Sequence, residues 1–305
     1  MKAIRIHDYG GADVLRYEEA PTPEPGPDEI LIRIHGAGVN PVDWKIRNGA
    51  MRQARPLSFP AILGADAAGK VEQVGPLVTR FRPGDAVVAR VEGAYAEFAA
   101  VKTDAVGRAA KSIPLAHVAA LPIAAGTAWT VLFEAARLAK GARILIQGGA
   151  GGVGTFAIQL AKLAGFHVIA TTSTANRPLV ESLGADRVID YRSEDVSRSV
   201  NDMDLVFDTV GGETLKHSFG LVRKGGQLLS IVSPPDEALA KEHGIEARFV
   251  RSNITGTRLE EIGGLIDAGK VKVVIEREFP LADAKAALAL SETGRARGKI
   301  ILRVA

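Results

Sequence analysis

At 305 residues the chain is long for a single core, so two domains of ordinary size are expected. A hydrophobic share of 47%, a charged share of 24% and a net charge of +3 fit a folded protein in water and argue against nucleic acid as its main partner. The opening MKAIRIHDYG carries no leader pattern and no apolar run is long enough to span a bilayer, so a cytoplasmic protein is expected.

Cysteine is absent, which removes disulfides, thiol nucleophiles and thiolate metal ligands together. The first third reads as β-rich: Ala3 to Ile6, Ile30 to Ile34, Ala86 to Val91 and Glu97 to Val101 are short apolar or alternating runs separated by Gly, Pro and Asp. Strands this short and closely spaced predict a small barrel-like domain. Between the first two, Pro21, Pro23, Pro25 and Pro27 stand on alternate positions, which favours a stiff extended connector.

The middle third changes period. Arg143 to Gln147 reads as a strand, and Val153, Phe156, Ala157, Leu160, Ala161 and Ala164 then fall on one face of a helix. His167 to Thr171, Arg187 to Ile189, Asp204 to Asp208 and Gln227 to Val232 read as strands, with helices over Asn176 to Leu183 and near Thr214 to Leu221. This alternation predicts right-handed crossovers and a doubly wound parallel sheet of Rossmann type. Thr257 to Asp267 reads as a helix, and Val271 to Val304 returns to strand, helix, strand.

The strand at Arg143 to Gln147 runs directly into Gly148-Gly149-Ala150-Gly151-Gly152-Val153-Gly154, where the helix opens. Gly149, Gly151 and Gly154 satisfy G-x-G-x-x-G: a tight turn, bare backbone for a pyrophosphate, and close packing of helix on strand. Amides and dipole at the helix start would receive the phosphates. NAD-selective sites place an Asp or Glu about twenty residues further on, at the end of the second strand. Here that position reads Thr171-Thr172-Ser173, with Arg177 close behind, so the cofactor expected is NADPH, its 2′-phosphate held by Ser173 and Arg177. The plainer alternative has Ser173 capping a helix and Arg177 as a solvated charge.

The stretches GVNPVDWKIRNG (Gly38 to Gly49), FPAILGADAAGKVEQVG (Phe59 to Gly75), RFRPGDAVVA, GAYAEF, AAGTAWTVL, the glycine loop, SLGADRVIDY, VFDTVGG and the final RGKIILRV follow one another along nearly the whole chain. In that order they resemble the quinone oxidoreductase branch of the medium-chain dehydrogenase/reductase superfamily. The resemblance implies an α/β protein with a GroES-like β-rich substrate domain, residues 1–113 and 271–305, around a Rossmann NADP-binding domain, residues 114–270. Zinc alcohol dehydrogenases of that superfamily carry a metal-binding cysteine where this chain has Asn40 and a His-Glu pair where it has Ala65-Asp66. The segment between Gly84-Asp85 and Gly93-Ala94-Tyr95 is too short for their structural zinc lobe. No metal is therefore expected. Without a Lewis acid, hydride delivery to an acceptor that is already electrophilic is the chemistry left.

The resemblance places Asn40 among polar contacts to nicotinamide and substrate, although Asn also suits a plain turn. After it, Asp43 reads as a helix cap, Trp44 as the roof of an aromatic slot, and Lys45 as a proton donor, an electrostatic stabiliser or a solvated charge. Thr127 matches a family Thr near the nicotinamide, and Tyr191 an aromatic position on the adenine side, with a half-buried core tyrosine as its alternative. Val210, Gly211 and Gly212 end one sheet strand and Ile231, Val232 and Ser233 the next, so their backbones should touch ribose and nicotinamide. The six histidines show no metal-ligand spacing.

The activity expected is NADPH-dependent reduction of a quinone or related conjugated carbonyl. Its nearest alternatives are reduction of an enone or 2-alkenal double bond and, more distantly, of a ketone; a non-catalytic NADPH-binding sensor or structural protein is the alternative from another class. A homodimer formed through a sheet edge near Ala247 to Val250 is expected as well.

Overall fold

Apolar residues at every second position make strands of the first third of the chain. In the computed structural model, which describes residues 1–304, these are β1 (Lys2–Ile6), β2 (Arg16–Glu19) and β3 (Glu29–Val39). Helix α1 (Pro41–Arg47) follows, then β4 (Ala61–Ile62), β5 (Asp66–Val74), β6 (Ala86–Arg90), β7 (Phe98–Lys102), β8 (Val106–Arg108) and the short α2 (Leu115–Val118). Residues 20–26, in the proline-spaced run, carry neither helix nor strand. Strand β3 is longer than the apolar run Ile30 to Ile34 alone predicts, because small residues Gly36, Ala37 and Gly38 continue it where α2 and β5 lie against the backbone.

Helix α3 (Pro122–Trp129) continues into a π-helical stretch at Thr130–Ala135. The alternating segment then runs β9 (Arg143–Ile146), α4 (Gly152–Leu163), β10 (His167–Thr172), α5 (Arg177–Ser182), β11 (Arg187–Asp190), α6 (Val196–Ser199), β12 (Met203–Asp208), α7 (Gly212–His217), β13 (Val222–Ser230), α8 (Glu237–His243) and β14 (Glu246–Phe249). All six strands pair in parallel in the order β11-β10-β9-β12-β13-β14. Numbered from β9, that is the 3-2-1-4-5-6 order of two mononucleotide-binding halves, with the switch point between β9 and β12.

The last stretch holds α9 (Gly256–Asp267), β15 (Ile275–Pro280), α10 (Ala284–Glu292) and β16 (Lys299–Arg303). Strand β16 pairs antiparallel with β3, which extends a mainly antiparallel sheet in the order β15-β16-β3-β5-β6-β8, with β7 also on β3. A smaller sheet, β2-β1-β4, packs on the same core through Ile4 and Ile6. Ile30, Ile32, Ile34, Val87, Ile300 and Leu302 are buried together there, each contributing about 1.5–3 kcal/mol by leaving water.

The chain divides into two units, residues 1–123, 254–269 and 273 onward in one, 124–253 and 270–272 in the other. The expected boundaries at 113/114 and 270/271 differ from this division mainly in assigning α9 to the Rossmann part. Its first residue, Gly256, touches the backbone of Val106 so closely that a Cβ would collide with it. Glu260 accepts from the Arg108 amide at 2.8 Å and Asp267 from the amides of Lys111 and Ser112 at 2.7 and 2.8 Å. A helix period in sequence identifies such an element but not the sheet it covers.

Candidate active site

Strand β9 ends in the glycine loop, and each glycine answers a different constraint. Gly148 takes a φ of +76°, which only glycine adopts without strain, and its amide donates to Thr171 Oγ1 at 3.1 Å. At Gly154 a Cβ would run into the Gly148 carbonyl and lie 2.8 Å from Gly149 Cα, so this position lets α4 close onto the loop. Gly151, the N-cap of α4, is unlike both: a Cβ there would meet only Gly148 O, at 3.3 Å. No side chain caps α4, which leaves its first amides and the positive end of its dipole open to an anion. Ala150 is buried within the loop, while Gly152 and Val153 form the first turn.

At the end of β10, Thr171 and Thr172 are buried and Ser173 turns out of the strand. The Ser173 hydroxyl makes no capping bond, so capping is not its task in this fold. Arg177 begins α5 and is already engaged: its guanidinium donates to Val188 O at 3.0 Å and to Glu194 at 2.9 Å. A free solvated charge is therefore the wrong description of Arg177, and any pairing with a phosphate has to compete with Glu194. Tyr191 is 55% exposed just beyond β11, with the Arg192 guanidinium 6.0 Å from its ring centroid, which corrects the half-buried core alternative.

The end of β12 meets the glycine loop directly. Thr209 Oγ1 donates to Gln147 O at 2.6 Å, and a Cβ on Gly148 would come within 2.7 Å of that hydroxyl and 3.2 Å of the Val210 side chain. Val210 is half exposed on this rim, and the next loop, Ile231 to Ser233, touches it through Val232 and Gly211. Thr127 is buried in α3 of the same unit.

In the other unit a set of polar groups is buried at the junction of β3, β5 and β16. The register pairs Gly38 with Asp66 and Val39 with Ile300, which brings Asn40, Asp66 and Lys299 together from three distant parts of the chain. Lys299 Nζ donates to Asn40 Oδ1 at 2.5 Å, to Val39 O at 3.0 Å and to Asp66 at 3.3 Å. Asn40 Nδ2 donates to Asp66 at 2.9 Å, and the other oxygen of Asp66 accepts from the Ile123 amide at 2.9 Å. Both ends of the Asn40 amide are thus held inside the protein, and the side chain expected to touch a ligand is 3% exposed. The physical reason is Lys299: a buried ammonium needs oxygen partners, and the Asn40 amide oxygen is one of the nearest.

Asp43, one turn along α1, accepts from the Asn40 backbone N–H at 2.8 Å and from Tyr95 Oη at 2.7 Å. Burial pushes its carboxyl up to about 6 and also raises Asp66, while Lys299 opposes the rise at both. The Tyr95 hydroxyl is raised as well, by burial and by Asp43 beside it. Trp44 is partly buried against the core of this unit, and its indole N–H is enclosed without a hydrogen-bond partner among the described residues. Lys45 Nζ lies 5.6 Å from the centroid of the Trp44 ring. Sequence reasoning did not single out Lys299, Asp208 or Ser230. An isolated Lys immediately before the apolar run Ile300-Ile301-Leu302 is the signal that was there to be read.

The Asp43 shift gives a signed expectation. An unfolded Asp releases its proton near 3.9 and the folded one near 6, so the folded state binds more protons between these values. Stability contributed by this group is therefore present below about pH 4, falls as pH rises to about 6 and stays low above that. Asp43→Asn keeps one oxygen for the Asn40 backbone N–H and Tyr95. It should remove about 3 kcal/mol of that fall, as measured by urea unfolding of parent and variant from pH 4 to 7. The Asp66 charge adds to the rise at Asp43, so the difference between the two proteins also contains the loss of that repulsion.

Residues 26–114 match the family model described as alcohol dehydrogenase GroES-like domain, and residues 183–302 the one described as zinc-binding dehydrogenase. Among the described residues, no three His, Cys, Asp or Glu side chains are grouped as a metal ion would require. The chain is 35% identical to a chloroplastic quinone-oxidoreductase homolog of Spinacia oleracea, covering 99% of this chain and 98% of the relative. The chain belongs to the quinone oxidoreductase branch of the medium-chain dehydrogenase/reductase superfamily. It is an oxidoreductase of that branch, and its two units are the GroES-like and Rossmann parts. The 2-methylene-furan-3-one reductase of Solanum lycopersicum is 37% identical over 99% of this chain and 79% of its own length. Among solved structures, the Escherichia coli quinone oxidoreductase complexed with NADPH superimposes with a TM-score of 0.90 at 27% identity, covering 100% of both chains. No helix among the described residues is long and apolar enough to cross a membrane.

Proposed function

We propose that the chain reduces quinones or similarly conjugated carbonyls with NADPH and without zinc. The observation that carries this reading is the uncapped start of α4 beside a β10 terminus of Thr171, Thr172 and Ser173, which carries no carboxylate of its own; the neighbouring acids are engaged, Asp190 with Thr174 and Glu194 with Arg177. The NADPH complex of the similar E. coli enzyme supports it.

Bound NADPH would supply the hydride. The amides of Gly152, Val153 and Gly154 at the start of α4 would bind the pyrophosphate across the bare backbone of Gly149, Ala150 and Gly151, whose first and last amides are taken by Thr171 O and Gly148 O; Ser173 and Arg177 would hold the 2′-phosphate, and Tyr191 would flank the adenine. Val210, Ile231, Val232 and Ser233 present backbone to the nicotinamide half, with Thr127 as a further contact. Trp44 offers a ring face to a planar acceptor, and Lys45 or a water molecule delivers a proton to the reduced oxygen. Asn40 acts from within, because its amide is committed to Asp66 and Lys299. Lys299 also supports independence from zinc: a divalent ion entering between Asn40 and Asp66 would meet a like charge already in place.

The deciding measurement is NADPH consumption against quinones, enones, enals and ketones, with and without exhaustive chelation. Quinone turnover that survives chelation is expected; activity lost to the chelator and restored only by zinc would sink the metal-free reading. Preferred turnover of an enone would move the substrate assignment to double-bond reduction, which the tomato relative favours. Binding of NADPH with no turnover on any acceptor would contradict an enzymatic role altogether.

Arg177→Ala should raise the Michaelis constant for NADPH about tenfold and leave that for NADH nearly unchanged, through loss of a charge-assisted hydrogen bond. Equal effects on both cofactors would return Arg177 to its bonds with Glu194 and Val188 alone. The proposal includes a cytoplasmic homodimer paired through β14, whose outer edge is free of any strand partner among the described residues. Light scattering at the mass of two chains, lost on Ala247→Pro, is the expected result for that part.

A further inference from the structure

We infer that Asp208 and Ser230 are positioning residues that lock the two loops facing the nicotinamide half of the cofactor. The inference rests on the NADPH reading above and goes beyond it by naming the groups that hold those loops in place. Asp208 closes β12 and Ser230 closes β13, side by side in the parallel register, and neither is exposed at all. One carboxylate oxygen of Asp208 accepts from the amides of Val210 at 3.0 Å and Gly211 at 2.8 Å. Its other oxygen accepts from the Ser230 hydroxyl at 2.7 Å. With its proton directed at Asp208, Ser230 Oγ keeps its lone pairs for the amides of Val232 at 3.2 Å and Ser233 at 3.4 Å. One carboxylate therefore fixes both loops, and it is buried where a charge needs such a set of donors.

The placement of these loops follows from topology. In a 3-2-1-4-5-6 sheet each half takes one mononucleotide beyond the carboxyl ends of its strands. The half built on β9, β10 and β11 carries Ser173 and Arg177 for the phosphorylated adenosine, which leaves the ends of β12 and β13 to the nicotinamide. The two loops also touch each other: a Cβ on Gly211 would lie 2.6 Å from Val232. Movement at Asp208 would therefore be felt in both of these loops.

Asp208→Asn presents an amide donor to one of these two partner sets. Facing Ser230, it would compete for the lone pairs that hold Val232 and Ser233. Ser230→Ala removes the link outright. Calorimetric titration of the full chain with NADPH, and separately with 2′-phospho-ADP-ribose, which lacks nicotinamide, distinguishes positioning from general damage. Each variant should bind NADPH about tenfold more weakly or worse while binding the fragment like the parent, the loss of oriented charge-assisted hydrogen bonds being felt in one half only. The double variant should lose less than the product of the two single losses, because both act on one network. Unchanged NADPH affinity in both variants would overturn the inference, and so would parallel loss of NADPH and fragment, which marks a structural role alone. A parent protein that binds neither ligand would instead remove the NADPH reading itself, and this inference with it.

Discussion

Gly151→Val is expected to abolish tight NADPH binding while the chain still folds cooperatively. The expectation depends on the difference among the loop glycines. A Cβ at Gly151 would have one close neighbour, Gly148 O at 3.3 Å, so a side chain there asks only for a small shift of that carbonyl, and by the geometry of the motif it would stand in the space before the α4 amides. A valine in that space holds a pyrophosphate away from donors that need hydrogen-bond distance. Gly154→Val is the informative contrast. Its Cβ collides with the Gly148 carbonyl and presses on Gly149 Cα, so α4 has to leave β9, at a cost of at least about 3 kcal/mol. Circular dichroism melting and NADPH titration of the two variants should thus separate: Gly151→Val folded and unable to bind, Gly154→Val damaged in both. A folded Gly151→Val protein that binds NADPH like the parent would place the cofactor elsewhere and remove the main support for the reductase reading.

Much of the Rossmann unit could be read from sequence because its signals are local. The strand into the glycine loop, the apolar face of α4 and the missing acid after β10 each lie within a few residues, and the structure places them in that order. The parallel sheet follows from strand and helix alternation, and β11 and β14 lie at its edges. What escaped was non-local. Asn40 stands on a loop after an apolar strand, and nothing near it tells that Lys299, at the other end of the chain, will take its amide oxygen. Nor does the Asp208 spacing reveal that Ser230 is its partner, since the β12 to β13 register is set by packing over many residues. Charge on an otherwise apolar strand was the one hint available, and for a single Lys a solvated strand end is the commoner explanation. Domain membership of α9 escaped for a similar reason: the contact between Gly256 and Val106 depends on shape, not on pattern.

Lys299→Met should cost about 3–5 kcal/mol of stability at neutral pH, among the largest effects of any single substitution outside the glycine loop. Lys299 and Asp66 have side-chain exposures of 3% and 0%, so their interaction is not diluted by solvent. Removing the ammonium leaves the Asp66 carboxylate enclosed, with only Asn40 and the Ile123 amide as partners. Burial already raises this carboxyl, and without Lys299 the rise is larger, so the variant protects itself by taking up a proton. The sign follows: a folded carboxyl raised further above its unfolded value loses stability as pH climbs from about 4 towards neutrality. The deficit of Lys299→Met relative to the parent should therefore shrink at pH 5 and grow at pH 7. Adding Asp66→Asn tests the cause. With the ammonium gone, the Asn40 amide is free to turn and offer its oxygen to the introduced side-chain amide, whose own oxygen still accepts from Ile123. The double variant should recover most of the loss and lose the added pH dependence, as read by urea unfolding at both pH values. A Lys299→Met protein as stable as the parent, with the same pH profile, would mean that Asp66 finds its compensation elsewhere and that the buried ammonium does not hold this corner of the GroES-like unit together.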